Sequence, residues 1–186
     1  MSKMVIEGGR KLEGTVSVHS SKNAVLPILA ATVLGGGNNT IHNCPKLKDV
    51  ASSIEILKGL GCTVQWHENK VIINSDNVFT HYIPEALMRE MRSSIIFLGA
   101  IISRCQKATI SMPGGCELGP RPIDLHLKAF RQLGITVEES HGYIRCFADN
   151  IVCDHIHLDF PSVGATENIM LVAAVAKGIT TISTAA

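Results

Sequence analysis

The chain has 186 residues, enough for one domain with a sizeable core. Seventeen Lys and Arg stand against sixteen Asp and Glu, and a net charge of +1 gives no footing for a nucleic acid or an anionic membrane surface. Six cysteines (44, 62, 105, 116, 146 and 153) show no Cys-x-x-Cys spacing, and several sit inside apolar runs, so they read as reduced thiols in a reducing compartment and not as a disulfide framework.

Residues 1–9 contain no hydrophobic signal core, and the longest apolar run, Ala24 to Leu34, is too short to span a bilayer and contains Pro27. The expectation is a soluble cytoplasmic protein. Two short alternating segments come first, Lys3 to Glu7 and Thr15 to His19, split by Gly8-Gly9-Arg10-Lys11; they predict a hairpin over residues 1–20 that belongs to a different domain. From residue 21 the chain repeats itself. Thr40-Ile41, Thr109-Ile110 and Thr181-Ile182 each follow an apolar segment of helical character, at a period of about seventy residues.

The first unit (21–88) predicts a helix from Lys22 to Leu34, a strand from Thr40, a helix from Asp49 to Leu60, and strands Cys62 to Trp66 and Lys70 to Asn74. The second (89–161) repeats the order with Met91 to Ser103, Ala108 to Met112, Ile123 to Leu133, Ile135 to Glu138 and Tyr143 to Phe147. Leu57-Lys58-Gly59-Leu60-Gly61 lies over Phe130-Arg131-Gln132-Leu133-Gly134, each helix ending at a Leu-Gly of the kind that closes a helix in the left-handed region. The third (162–186) reaches only a helix from Ala165 to Ala176 and a strand from Gly178 to Ser183. Helices and strands alternating in this way predict an α/β layered fold built from repeated units, incomplete in its third copy, so the chain reads as a fragment of a longer protein.

Between first strand and second helix the copies differ. The first is joined by Cys44-Pro45-Lys46-Leu47-Lys48, while the second carries four more residues inside Pro113-Gly114-Gly115-Cys116-Glu117-Leu118-Gly119-Pro120-Arg121-Pro122-Ile123-Asp124. Three glycines and three prolines in those twelve residues exclude helix and central strand, so the stretch is a loop entering a helix. An extension present in one copy and absent from its sibling is not needed for folding, which points to function. Cys116, with Arg121 five residues on and a helix start beyond it, has a setting that lowers a thiol pKa. A plain surface cysteine is the alternative, and only the comparison between copies weighs against it.

Lys22-Asn23 opens the first helix after the capping residues Ser20-Ser21, and Arg92 takes the aligned place in the second unit. Either these cations are solvated first-turn residues or they converge on an anion. Ser162-Val163-Gly164-Ala165-Thr166 opens the third helix with small residues whose amides suit a phosphate. Cys153, His155 and His157 alternate, a spacing that would line one strand face and raises zinc as a rival, although a fourth ligand is wanting and no metal is assigned. No Gly-x-Ser-x-Gly, Walker A or strand-following Gly-x-Gly-x-x-Gly occurs, which counts against α/β-hydrolases, P-loop enzymes and Rossmann dehydrogenases.

On Lys22-Asn23-Ala24, Pro45-Lys46-Leu47-Lys48-Asp49-Val50, Met91-Arg92-Ser93-Ser94, the Gly-Gly-Cys loop through His126, and Ser162 to Thr166, the chain resembles the UDP-N-acetylglucosamine 1-carboxyvinyltransferases along its whole length. Ser20-Ser21 departs from the Gly-Ala common before the Lys-Asn pair. The resemblance implies an inside-out α/β barrel of repeated βαβαββ units, with residues 21–186 an incomplete first domain. It implies transfer of the enolpyruvyl group of phosphoenolpyruvate to the 3-hydroxyl of UDP-GlcNAc with loss of phosphate. That is the first committed step of peptidoglycan synthesis, and so belongs to cell-wall growth, cell shape and division.

Cys116 would be the general acid, the site of a covalent phosphoenolpyruvate adduct and the target of fosfomycin. Lys22, Arg92 and Arg121 would hold phosphoenolpyruvate, and Lys22 and Arg121 would share in the catalysis. Asn23 would touch the sugar. Arg121, Pro122, Ile123, Asp124 and Leu125 would meet the uridine end, and Ser162, Val163 and Gly164 the diphosphate. No cofactor is implied. The partner would be the remaining domain of the same enzyme, without which little turnover is expected. The shikimate-pathway enolpyruvyl transferase and a non-catalytic UDP-sugar-binding relative are the alternatives.

Overall fold

A computed structural model describes residues 3–11, 13–18, 20–112 and 123–186, with Arg92 described by its backbone alone. The first unit runs α1 (Lys22–Gly35), β1 (Asn38–Ile41), α2 (Lys48–Leu60), β2 (Thr63–His67) and β3 (Lys70–Asn74). The second runs β4 (Tyr82–Ile83), α3 (Glu85–Glu90), a 3₁₀ turn (Arg92–Ile95), α4 (Ile96–Cys105), β5 (Lys107–Ser111), α5 (Asp124–Gln132), β6 (Thr136–Ser140) and β7 (Tyr143–Phe147). The third runs β8 (His155–His157), α6 (Val163–Ala173) and β9 (Thr181–Ser183). The repeating helix and strand order is thus borne out, while the second and third units open at β4 and β8, ahead of the residues 89 and 162 expected. The Leu-Gly stops are borne out too: Gly61 and Gly134 follow α2 and α5 with φ of +111° and +82°. A side chain at Gly61 would also place its Cβ 2.2 Å from the Asn77 carbonyl, so this cap admits glycine alone.

The first sheet has the order β1-β3-β2, antiparallel throughout, with Ile41 opposite Val71 and Trp66 opposite the same residue across the other edge. The second has the order β4-β5-β7-β6, in which β4 and β5 are parallel and the other pairs antiparallel. In the third, β8 and β9 are parallel. The short leading strands β4 and β8 had no apolar alternation to announce them, since two or three residues make no period. They show that α4 and α6 are crossovers between parallel strands.

These crossover helices and α1 form the interior. Ile96 to Ile102 of α4 are all buried, and α1 and α6 bury residues such as Leu29, Val33, Ala165 and Ile169 completely. A helix enclosed as α4 is has no need of a polar face, hence its unbroken apolar run, whereas α1 and α6 bury most of their length and leave Ile28 and Met170 49% and 59% exposed. The sheets lie outside, presenting Val71 and Ile73 of β3 and Ile144 and Cys146 of β7 inward. Helices inside and sheets outside is the inside-out order that the resemblance implied.

Two expectations change. The hairpin over Lys3 to Glu7 and Thr15 to His19 does not form among the described residues: they carry no strand, and Val5, Ile6, Val16 and Val18 stand 78% to 94% exposed. Their alternation finds no apolar face to cover, and a lone two-stranded hairpin is marginal in water. The helix expected from Met91 also starts later. Met91 is extended (φ −134°), and a 3₁₀ turn, with the Ser94 hydroxyl donating to the Met88 carbonyl at 3.1 Å, leads into α4.

Candidate anion site at the helix starts

The direction of the buried helices decides what meets what. The Gly99 amide of α4 donates to Asn168 Oδ1 of α6 at 2.8 Å, and one turn on the Ser103 hydroxyl donates to the Leu171 carbonyl at 3.2 Å. Residue numbers rise together, so α4 and α6 run side by side in one direction. Gly36, just past α1, lies against Arg104 in the last turn of α4, where an added Cβ would sit 3.5 Å from the guanidinium. The far ends of α1 and α4 therefore coincide as well. Lys22, the backbone of Arg92 and Ser162 must then share the opposite end.

Two further helices begin there. Lys22 Nζ reaches Asp49 Oδ2 in the first turn of α2 at 2.9 Å. His126 in the first turn of α5 lies against Gly164 in the first turn of α6, its imidazole edge 3.6 to 3.8 Å from where a Cβ on Gly164 would be. The starts of α1, α2, α4, α5 and α6 thus gather at one end of the molecule. Each helix start carries unpaired amides and a fractional positive charge, so such a gathering favours anions.

Local sequence explains the placement. Ser21 caps α1, its Oγ accepting from the Ala24 amide at 3.4 Å, and Ser162 caps α6 by accepting from Ala165 at 3.3 Å. Asn23 is exposed at this end, Val163 is exposed and Gly164 half-buried, with Ile123, Asp124 and Leu125 forming the entry to α5. Cys116, Arg121 and Pro122, together with the rest of 113–122, lie outside the described residues. Their described neighbours are Met112, just past β5, and Ile123, the capping residue of α5. Since β5 returns from the far end of α4, both flanks of that loop stand beside the helix starts.

The pairing of Lys22 with Asp49 was not foreseen; the two are 27 positions apart, on α1 and α2, and only the fold joins them. Asn168 and His126 were also missed as a unit. The zinc rival gains nothing: His155 and His157 do share a face of β8, but both ring nitrogens meet one hydroxyl, Ser183 Oγ, at 3.1 and 2.9 Å. Cys153 Sγ instead faces Gly178, and no group of three or more His, Cys, Asp or Glu gathers as a metal site among the described residues. Cys44, Cys62, Cys105, Cys146 and Cys153 are free thiols. Burial pushes Cys62 up to about 11 and Cys146 up to about 12, which suits packing and not reactivity.

A protein-family model described as EPSP synthase (3-phosphoshikimate 1-carboxyvinyltransferase) matches residues 6–186. Among curated proteins, the chain is 55% identical over its whole length to UDP-N-acetylglucosamine 1-carboxyvinyltransferase 2 of Caldanaerobacter subterraneus subsp. tengcongensis, and 44% identical to the enzyme of that name from Carboxydothermus hydrogenoformans. It spans 45% and 44% of those relatives' lengths. The enolpyruvyl transferase NikO from Streptomyces tendae superposes with a TM-score of 0.78 at 22% identity, over 94% of this chain and 41% of that one. EPSP synthase from Acinetobacter baumannii gives 0.68 at 15% identity, over 91% and 40%. At those identities the solved structures speak for the fold.

Proposed function

The chain belongs to the EPSP synthase (3-phosphoshikimate 1-carboxyvinyltransferase) family, and within that family we propose that it carries part of the active site for enolpyruvyl transfer from phosphoenolpyruvate to the 3-hydroxyl of UDP-GlcNAc. The observation that carries this is the gathering of five helix starts around Lys22 and Ser162, a setting made for phosphates and carboxylates. The names of relatives at 44% and 55% identity favour UDP-GlcNAc over a shikimate phosphate as acceptor. The peptidoglycan role and a cytoplasmic setting follow from that reaction; no helix among the described residues is long and apolar enough to cross a membrane.

In this reading Lys22, Arg92 and Arg121 hold the phosphate and carboxylate of phosphoenolpyruvate. Asn23 meets the sugar, residues 121–125 the uridine end, and Ser162, Val163 and Gly164 the diphosphate. The sugar's 3-oxygen bonds to C2 of phosphoenolpyruvate and gives up its proton, while Cys116 delivers a proton to the methylene C3, which becomes a methyl group. The resulting tetrahedral ketal then loses a proton from that methyl and expels phosphate from C2, restoring the double bond. Charge builds on bound oxygens throughout, and fixed cations and amides lower that cost without reorganising. Because the chain spans under half of its relatives, turnover is assigned to the protein supplied with the remaining portion, and ligand binding to these residues.

Intact-mass and peptide mass spectrometry after incubation of that complete protein with UDP-GlcNAc and fosfomycin tests the proposal. One adduct on Cys116, with Cys44, Cys62, Cys105, Cys146 and Cys153 unmodified, is expected. An unmodified Cys116 in protein that still binds UDP-GlcNAc contradicts the transferase and leaves a UDP-sugar-binding relative.

A further inference from the structure

Asn168 is wholly buried in α6 and uses both ends of its amide. Its Oδ1 faces the Gly99 N–H, which can only donate, so the orientation of the amide is settled. Its Nδ2 therefore donates, to the Ile95 carbonyl at 3.0 Å and to His126 Nδ1 at 3.0 Å. An imidazole nitrogen that accepts carries no proton, which puts the proton of neutral His126 on Nε2. His126 is itself 6% exposed, and among the described residues its Nε2 has no hydrogen-bond partner. That edge of the ring points to the first turn of α6, beside Gly164, on the side that glycine leaves open.

We propose that His126, oriented by Asn168, is a binding residue of the α6 start that donates Nε2–H to a phosphoryl oxygen seated against the amides of Val163 and Gly164. The ligand class is a phosphate ester or diphosphate, and with the function proposed above, on which this part rests, it is the diphosphate of the nucleotide sugar. Burial pushes the His126 pKa down to about 4, so the donor stays uncharged across the neutral range and adds direction without a second desolvated cation. Asn168 is a positioning residue: it touches no ligand, and it selects the tautomer.

The test is NMR of the 186-residue chain with ¹⁵N-labelled histidine, titrated with UDP and, separately, with inorganic pyrophosphate, alongside calorimetry of variants. The expected results are an Nε2–H tautomer in the free chain, movement of the Nε2 resonance with either ligand, and UDP binding roughly ten-fold weaker in His126→Asn. That variant keeps an acceptor for Asn168 and has nothing at the Nε2 position. His126→Gln, whose amide nitrogen reaches that position, should recover most of the loss. If the Nδ1–H tautomer is found, or if ligand shifts the Val163 and Gly164 amides and leaves the His126 ring unmoved, the inference is overturned while the nucleotide-sugar reading stands. If pyrophosphate moves the ring and UDP does not, His126 stands as an anion donor and the nucleotide-sugar reading fails. Absence of binding by either ligand overturns both. Should His126→Asn fail to fold, the ring titration of the unaltered chain still decides.

Discussion

Replacing Gly99 by alanine sets two effects of opposite sign against each other at the α4–α6 contact. Alanine is the better helix former by about 1 kcal/mol, so propensity alone would stabilise α4. The added Cβ, however, would stand 2.1 Å from Asn168 Oδ1 and 2.8 Å from the Asn168 carbonyl, distances that real Cβ atoms do not keep. The helices must separate or the amide of Asn168 must turn away. Overpacking of this kind costs about 1–3 kcal/mol, and breaking the 2.8 Å bond leaves a buried Gly99 N–H unpaired for about 1–3 kcal/mol more. The net expectation for Gly99→Ala is a loss of about 3 kcal/mol, read as a lower urea midpoint by far-ultraviolet circular dichroism at unchanged slope. A midpoint equal to or above that of the unaltered chain would refute the close approach of α4 and α6, and with it the parallel alignment that brings Arg92 and Ser162 to one end.

Lys22→Ala separates binding from folding. The Lys22–Asp49 pair has side chains 49% and 29% exposed, so its loss should cost under about 1 kcal/mol in a thermal melt, whereas UDP-GlcNAc or phosphoenolpyruvate affinity measured by calorimetry should fall ten-fold or more. Acid stability should report His126. Its folded pKa is about 4 against an ordinary 6.5, so the unfolded chain binds the extra proton between those values, and stability present above pH 6.5 declines by about 3 kcal/mol on going to pH 4. Urea titrations across that window should be visibly flatter for His126→Gln. Alkaline stability should report the buried thiols: with Cys146 at about 12 against an ordinary 9.0, the unfolded state ionises first, and stability is lost as pH rises from about 9. Cys146→Ala, though less stable at pH 8, should lose less on the step from pH 8 to pH 10.5.

Much of this was legible in the chain because it is written more than once. Two copies of a Leu-Gly stop, three Thr-Ile strands and three apolar helices align by eye, and each is a local signal with a local cause: a left-handed cap, a β-branched pair, an enclosed helix. Helix starts were readable for the same reason, since Ser21 and Ser162 act within three residues of themselves. What escaped was either too short or too distant. β4 and β8 have too few residues for a period, and the exposed stretch before α1 carries a strand pattern with nothing here to pair against. The Lys22–Asp49 pair and the chain Gly99–Asn168–His126 join residues 27 to 69 positions apart, for which no spacing rule exists. Asn168, a polar residue within a largely apolar helix, was an available hint that α6 faces something other than hydrocarbon.

The most direct measurement is a backbone amide chemical-shift map of the chain with UDP-GlcNAc. The largest shifts are expected at Lys22 and Asn23, at Asp124 and Leu125, and at Ser162, Val163 and Gly164, three patches far apart in sequence and joined only at the common end of the buried helices. Shifts centred instead on the outer groove of about 520 Å³ between Lys46, Lys58 and Trp66, with those three patches silent, would contradict an anion site at the helix starts.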